Sequence, residues 1–148
     1  MKLVFIHGSG SSSLSFYYQL RHFRNSKALD LPGHPSGTPC TSINGYLEWV
    51  RGFNTARRYK DVVLCGHSMG GAIAQELAIN QPQLVDKLIL LATYDSTDNR
   101  AQDLFRGFAS LRRDLNREDY LRLTLPWGYT YEEYERPGFV EEVIAEVV

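Results

Sequence analysis

One hexapeptide constrains this chain more than any other stretch: Gly66-His67-Ser68-Met69-Gly70-Gly71, set between the apolar run Val62-Val63-Leu64-Cys65 and the helical stretch Ala72 to Asn80. A G-x-S-x-G spacing between strand and helix marks a sharp corner that lifts the serine out of the sheet. The reason is steric. Turning from strand to helix in so few residues forces Ser68 into a strained backbone conformation, and a side chain at either flanking glycine would collide with the neighbouring strand or helix. Because Ser68 stands at a helix N-terminus, the Met69 amide points to where a carbonyl oxygen would acquire negative charge. The competing reading, an incidental serine in a Gly-rich helix start, is weakened by the flanking pattern.

The rest of the chain alternates. Leu3-Val4-Phe5-Ile6 is a short apolar run without a polar face, the pattern of a strand covered on both sides, and it ends in the donor-rich loop His7-Gly8-Ser9-Gly10-Ser11-Ser12-Ser13. Phe16, Leu20 and Phe23 share one face of a helix that follows. Ala28-Leu29 leads into the turn Asp30-Leu31-Pro32-Gly33-His34-Pro35, where the two prolines fix φ. Thr41 or Ser42 caps a helix with the stripe Ile43, Tyr46, Leu47, Val50, extended less regularly to Tyr59. Val62 to Cys65 is the third strand. The helix after the corner buries Ile73, Ala74, Leu77 and Ala78 and stops near Pro82, and Leu88 to Ala92 is a fourth buried-type strand. Strands separated by helices make a parallel sheet with right-handed crossovers, and ligands bind at the carboxyl ends of such strands. The Gly-Ser loop, the Pro-Gly turn and the serine corner all fall there.

From Thr93 onward no strand pattern recurs. Leu104, Phe108, Leu111 and Leu115 form one helical stripe, Asn116 caps another helix through Leu125, and Glu141 to Val148 begins a third pattern. Trp127, Tyr129, Tyr131, Tyr134 and Phe139 crowd the segment between. Two readings stand side by side for these aromatics: ordinary helix packing, or an apolar lid over the site. The organisation expected is an α/β core at residues 1–95 and a helical lid segment at 96–148, within the compass of a single domain at 148 residues.

Composition excludes several classes. Net charge is −1 with 16 basic residues spread along the chain, so a nucleic-acid-binding stripe is not expected, and Arg106 to Arg117 reads as a solvated helix face. No apolar run approaches the roughly 18 residues of a membrane span, and Met1 to Ile6 is too short for a signal-peptide core. Cys40 and Cys65 make no disulfide framework, and the expectation is two free thiols in a cytoplasmic setting. Neither a metal nor a cofactor is indicated.

Taken together, Val4 to Gly10, Asp30 to His34 and Gly66 to Gly71 resemble the α/β-hydrolase superfamily, and its single-domain esterase-like branch in particular, over about residues 2–95. The resemblance implies a mostly parallel sheet with flanking helices, in which the first strand here is the family's third and Leu88 to Ala92 its sixth. It implies that Ser68 is the nucleophile, that Ser9 and Met69 supply oxyanion-hole N–H groups, and that His7, Gly8, Gly66, His67, Gly70 and Gly71 support the loop and corner. A serine here fits acyl transfer through an acyl-enzyme, with small carboxylic esters or related acyl compounds as substrates. The sequence departs from the family at Pro35, which replaces a usual glycine and stiffens that turn.

A second departure weighs more. A serine hydroxyl needs a base, and in this family Asp or Glu and then His follow the serine. No histidine follows Ser68. His7 and His34 match positions with structural roles, His22 lies on a helix among polar neighbours, and His67 adjoins the nucleophile and points elsewhere. Asp95 stands where some relatives place their acid, although capping of the next helix accounts for it more simply. Three readings follow: a serine hydrolase given as an N-terminal portion or truncated product, a non-catalytic small-molecule binder of the same fold, or a piece completed by another chain. Leu88 to Ala92, lacking a neighbour on one side, is expected at a sheet edge and open to self-association.

Overall fold

Leu3 to Ile6 form the heart of β1 (Lys2–Ile6), whose apolar residues suit a strand buried on both faces. The computed structural model describes residues 2–34 and 36–147, so the stiffening expected of Pro35 lies outside the described residues. Strands β2 (Ser26–Leu29), β3 (Val62–His67) and β4 (Val85–Leu91) join β1 in the order β2-β1-β3-β4, every neighbouring pair parallel. This is the sheet with flanking helices that the alternation implies. Val4 lies opposite Leu64, and Leu64 opposite Leu88, whereas Phe5 lies opposite Cys65, and Cys65 opposite Ile89.

Successive side chains point to opposite faces. On one face, Val4, Ile6, Val62 and Leu64 meet Tyr46, Leu47 and Val50 of α2 (Ile43–Ala56) and Ile73, Ala74 and Leu77 of α3 (Met69–Asn80). On the other, Phe5, Ala28 and Cys65 meet Phe16. Each wholly buried aliphatic of the larger cluster contributes about 1.5–3 kcal/mol relative to exposure. Cys40 and Cys65 are both unbridged, and burial pushes the Cys65 thiol above its ordinary value.

Several elements depart from the periodicity. A 3-10 turn at Ser13–Phe16, capped by Ser12, precedes α1 (Tyr17–His22). Phe16 stacks on Phe5 at 4.7 Å, but Phe23 has already left the helix for an extended conformation and is exposed. The expected Phe16, Leu20, Phe23 stripe is therefore only partly buried. Ser42, not Thr41, caps α2 by accepting from Gly45 N at 3.2 Å. That helix stops at Ala56 because Arg58 takes φ 52, so Tyr59 is not helical and its N–H reaches back to the Asn54 carbonyl at 3.0 Å. The fourth strand begins earlier than expected and ends at Leu91, since Ala92 turns to φ 43.

Two compact units are distinguished, one up to Ser96 and one from Thr97. The second holds α4 (Asn99–Asp114), α5 (Arg117–Thr124), a 3-10 turn at Leu125–Trp127, α6 (Tyr131–Tyr134) and α7 (Phe139–Val147). Asn116 caps α5 as expected, accepting from Asp119 N at 2.9 Å. Pro126 lies inside the 3-10 turn, so the α-helix ends at Thr124 rather than Leu125. Phe139 is buried edge-on to Tyr129 and Tyr134, while Trp127 and Tyr131 are exposed at 67% and 75%. Helix packing therefore accounts for Phe139 and Tyr134. Among the described residues no helix is long and apolar enough to cross a membrane.

Candidate active site

The corner between β3 and α3 is made by Ser68, at φ 52 and ψ −119. Such a conformation costs a non-glycine residue about 1–3 kcal/mol and persists only where its surroundings over-determine it. Three bonds do so here. The Ser68 N–H donates to the Leu91 carbonyl at 3.0 Å, its carbonyl accepts from Thr93 Oγ1 at 2.7 Å, and the same carbonyl accepts from Gly71 N at 2.9 Å as α3 begins. Gln75 Nε2 adds a bond to the Tyr94 carbonyl at 2.9 Å, tying α3 to the segment after β4.

The glycines answer to close approach. A Cβ on Gly66 would strike the Gly70 carbonyl, one on Gly70 would strike the Ile6 and His7 carbonyl oxygens, and one on Gly71 would meet Thr93 Cβ at 2.5 Å. The corner thus presses against the end of β1 with only hydrogen atoms between. Gly8, in the loop after β1, stands where a Cβ would lie 3.1 Å from Ser68 Cβ and 3.2 Å from His67 Nδ1. The structure therefore brings Gly8, His67 and Ser68 together from two strand ends.

The loop itself is braced by His7, which has no exposed surface. Its Nδ1 donates to the Gly8 carbonyl at 2.7 Å, and its Nε2 accepts from Leu31 N at 3.1 Å. Burial holds the imidazole below its ordinary value, with His34 and His67 pushing the same way and the Gly8 carbonyl and Asp30 opposing. Asp30 accepts from Ser13 N at 2.7 Å, fastening the far end of the loop. His34 lies 5.4 Å from His7, ring to ring, with its Nδ1 on the Pro32 carbonyl at 3.1 Å.

Among the described residues, the Ser68 hydroxyl and the N–H groups of Ser9 and Met69 make no hydrogen bond. For Met69 this follows from its place as the first residue of α3, where backbone donors have no intrahelical partner. An unpartnered hydroxyl and unpartnered amides are what a nucleophile and its anion-binding donors require. Asp95 is exposed, accepts from Ser96 Oγ at 3.3 Å and caps nothing, because Asp98 is the N-cap of α4, accepting from Ala101 N at 2.7 Å. His22 ends α1, edge-on to Phe23. Sequence reasoning missed Thr93 and Gln75, for a hydroxyl two residues past a strand carries no local sign of a partner 25 residues away. Among the described residues no group of three or more His, Cys, Asp or Glu is placed to hold a metal ion.

A sequence model of the alpha/beta hydrolase family matches residues 3–147. The chain is 33% identical over 102 residues to a protein named putative esterase/lipase 2 from Mycoplasma pneumoniae, covering 64% of this chain and 38% of that one. It is 27% identical over 129 residues to (E)-2-((N-methylformamido)methylene)succinate hydrolase from Acinetobacter baylyi, covering 78% of this chain and 49% of that one. The fold matches the crystal structure of a hydrolase from Pseudomonas aeruginosa with a TM-score of 0.82 at 23% identity, over 99% of this chain and 58% of that one. The chain thus spans less than half the length of those two curated relatives.

Proposed function

The chain belongs to the alpha/beta hydrolase family, and from that premise we propose that Ser68 is the nucleophile of a serine hydrolase acting on small carboxylic esters or related acyl compounds. The observation that carries this reading is the strained corner at Ser68, at φ 52 with its hydroxyl unpartnered, packed against Gly8 of the Gly-Ser loop. In the step proposed, Ser68 Oγ bonds to the acyl carbon and gives its proton to a base. The carbonyl π electrons move onto oxygen, where the N–H groups of Ser9 and Met69 meet the negative charge. The bond to the leaving group then breaks, the protonated base returns its proton to the departing alcohol, and water repeats the sequence on the acyl-enzyme.

We take the base to lie outside this chain's histidines. His7 has both ring nitrogens engaged, His34 and His22 serve local contacts, His67 precedes the nucleophile, and no histidine follows it. We place the base and its acid in polypeptide beyond these residues, which accords with the greater length of the relatives. Without a base, a site of this kind retains about three to four powers of ten over the uncatalysed rate, from the oxyanion donors and binding alone.

The test is capture by a fluorophosphonate probe together with turnover of a p-nitrophenyl ester. Slow labelling mapped to Ser68, abolished in Ser68→Ala, and weak esterase activity are expected. The missing histidine favours one other reading, a binder that keeps the pocket without the chemistry. Absence of any label at Ser68, with an ester analogue still bound, would establish that reading in place of the first.

A further inference from the structure

We infer that the Ser68 site favours an ester that carries a fixed positive charge, such as a quaternary ammonium, near its reacting carbonyl. The inference rests on the hydrolase reading proposed above and names a substrate class within it.

It starts from where the first unit keeps its charges. The segments that gather at the carboxyl ends of the strands, 7–16, 30–42, 67–72 and 92–96, contain no lysine or arginine but two aspartates, Asp30 and Asp95. Both are exposed. The cations stand toward the opposite end of the sheet: Lys2 opens β1, Arg24 precedes β2, and Arg57, Arg58 and Lys60 precede β3. By register the nearest to the site is Lys27, which lies opposite Val4 and so stops short of the end of β1 at Ile6.

The two carboxylates flank the nucleophile. Asp30 follows Leu29, which pairs with Ile6, and Ile6 pairs with Gly66. Asp30 therefore stands two strands from the serine corner, roughly 10 Å at the ordinary strand spacing. On the other flank, the Thr93 hydroxyl donates to the Ser68 carbonyl at 2.7 Å, and Asp95 lies two residues further on, a reach of about 7 Å at most. Asp30 accepts from Ser13 N at 2.7 Å and Asp95 from Ser96 Oγ at 3.3 Å, and both donors are uncharged. Among the described residues neither aspartate is in a salt bridge. Like charges on either side of a site add their fields between them, so a cation is drawn in and an anion held off. The Ser9 and Met69 amides act on the oxyanion at hydrogen-bond range. A negative charge growing on the carbonyl oxygen and a positive one further along the substrate therefore do not compete.

The test uses the full 148-residue chain at about pH 8, above the range in which histidine ordinarily gains charge. Two p-nitrophenyl esters are compared, that of γ-trimethylammoniobutyrate and its uncharged isostere with carbon in place of nitrogen. Only release that Ser68→Ala removes is counted, and each rate is divided by that ester's own rate of alkaline hydrolysis. The cationic ester is expected to lead in kcat/KM by about threefold or more at low salt. That lead should vanish near about 1 M salt, where the Debye length is about 3 Å. Asp95→Asn should bring the two esters closer by slowing the cationic one, and Asp95→Lys should put the uncharged one ahead. Equal rates at low salt overturn the inference, as does a preference that survives high salt or that Asp95→Asn leaves untouched. If neither ester is turned over, the hydrolase reading fails separately. The charge preference is then read from the amide shifts of Gly8 and Met69 during titration with the two corresponding carboxamides: tighter binding of the cationic one sustains it, and equal binding overturns it.

Discussion

At Gly70 a side chain has nowhere to go, because the Ile6 and His7 carbonyl oxygens occupy the space a Cβ would need and neither can retreat without breaking β1. Gly70→Val is therefore expected to destabilise by about 2–4 kcal/mol, read as a drop in melting temperature, and an unchanged melting temperature would count against the corner geometry. Thr93 acts through one bond, its hydroxyl donating to the Ser68 carbonyl at 2.7 Å. Thr93→Val keeps the shape and removes the donor, so a loss of about 0.5–1.5 kcal/mol in urea denaturation is expected, together with slower capture at Ser68. His7 adds a pH dependence. Burial lowers its folded-state value, with His34 and His67 contributing in the same direction and the Gly8 carbonyl and Asp30 against. In the window between that lowered value and about 6.5, the unfolded chain binds the proton and the folded one does not, so stability rises with pH there. The His7 contribution is complete above about pH 6.5 and is lost as pH falls toward the folded value. The urea midpoint should fall on moving from about pH 8 to about pH 5.5 by more in the unmodified chain than in His7→Gln. Ser68, Gly66 and Gly70 were legible as a corner from spacing alone, because the steric demand is local. Thr93 was not.

Among the elements, β4 carries the tension between local pattern and surroundings. Leu88 and Leu90 share the face of Leu64 and Gly66, while Ile89 and Leu91 share that of Cys65 and His67, so both faces are apolar as for a strand inside a sheet. Yet β4 is the edge of the four-stranded sheet, and Leu88, Ile89, Leu90 and Leu91 are 36–43% exposed. The expected edge position is what the topology has, and unpaired backbone groups beside exposed leucines favour pairing with another strand. Concentration-dependent association is the expected outcome by light scattering, reduced in Ile89→Lys. A strictly monomeric chain at high concentration would remove that expectation. The four strands, α2, α3 and the α5 cap were all legible from periodicity and capping residues, within a few residues at their ends. Two ends were missed for a backbone reason: Arg58 and Ala92 adopt positive φ although neither is a glycine, and nothing in their side chains announces it. Phe23 was misread because its helix ends one residue earlier to feed β2.

At the scale of the whole molecule, the two units differ in how much they bury. In the first, the sheet and α2–α3 enclose a continuous cluster from Val4 to Leu77, whereas among the described residues of the second only Leu125, Phe139 and Ile144 are buried hydrophobics. Local opening free energy follows buried apolar contact. Amides of β1, β3 and α3 are therefore expected to exchange most slowly with deuterated solvent, and those of α4 to α7 markedly faster. Equal protection in both units would contradict that ranking. The sequence by itself determined the strand and helix alternation, the parallel sheet, the serine corner with its obligatory glycines, and the three loops that gather at the strand ends. These follow from propensity, periodicity and sterics that act over a few residues. Only the tertiary structure decided which groups meet there: Thr93 on the Ser68 carbonyl, and His7 between Gly8 and Leu31 across 24 residues of chain. A polar side chain announces its capacity to donate or accept, but its partner is chosen by strand register and by how closely two loops can pack, and neither is written in the residues on either side of it.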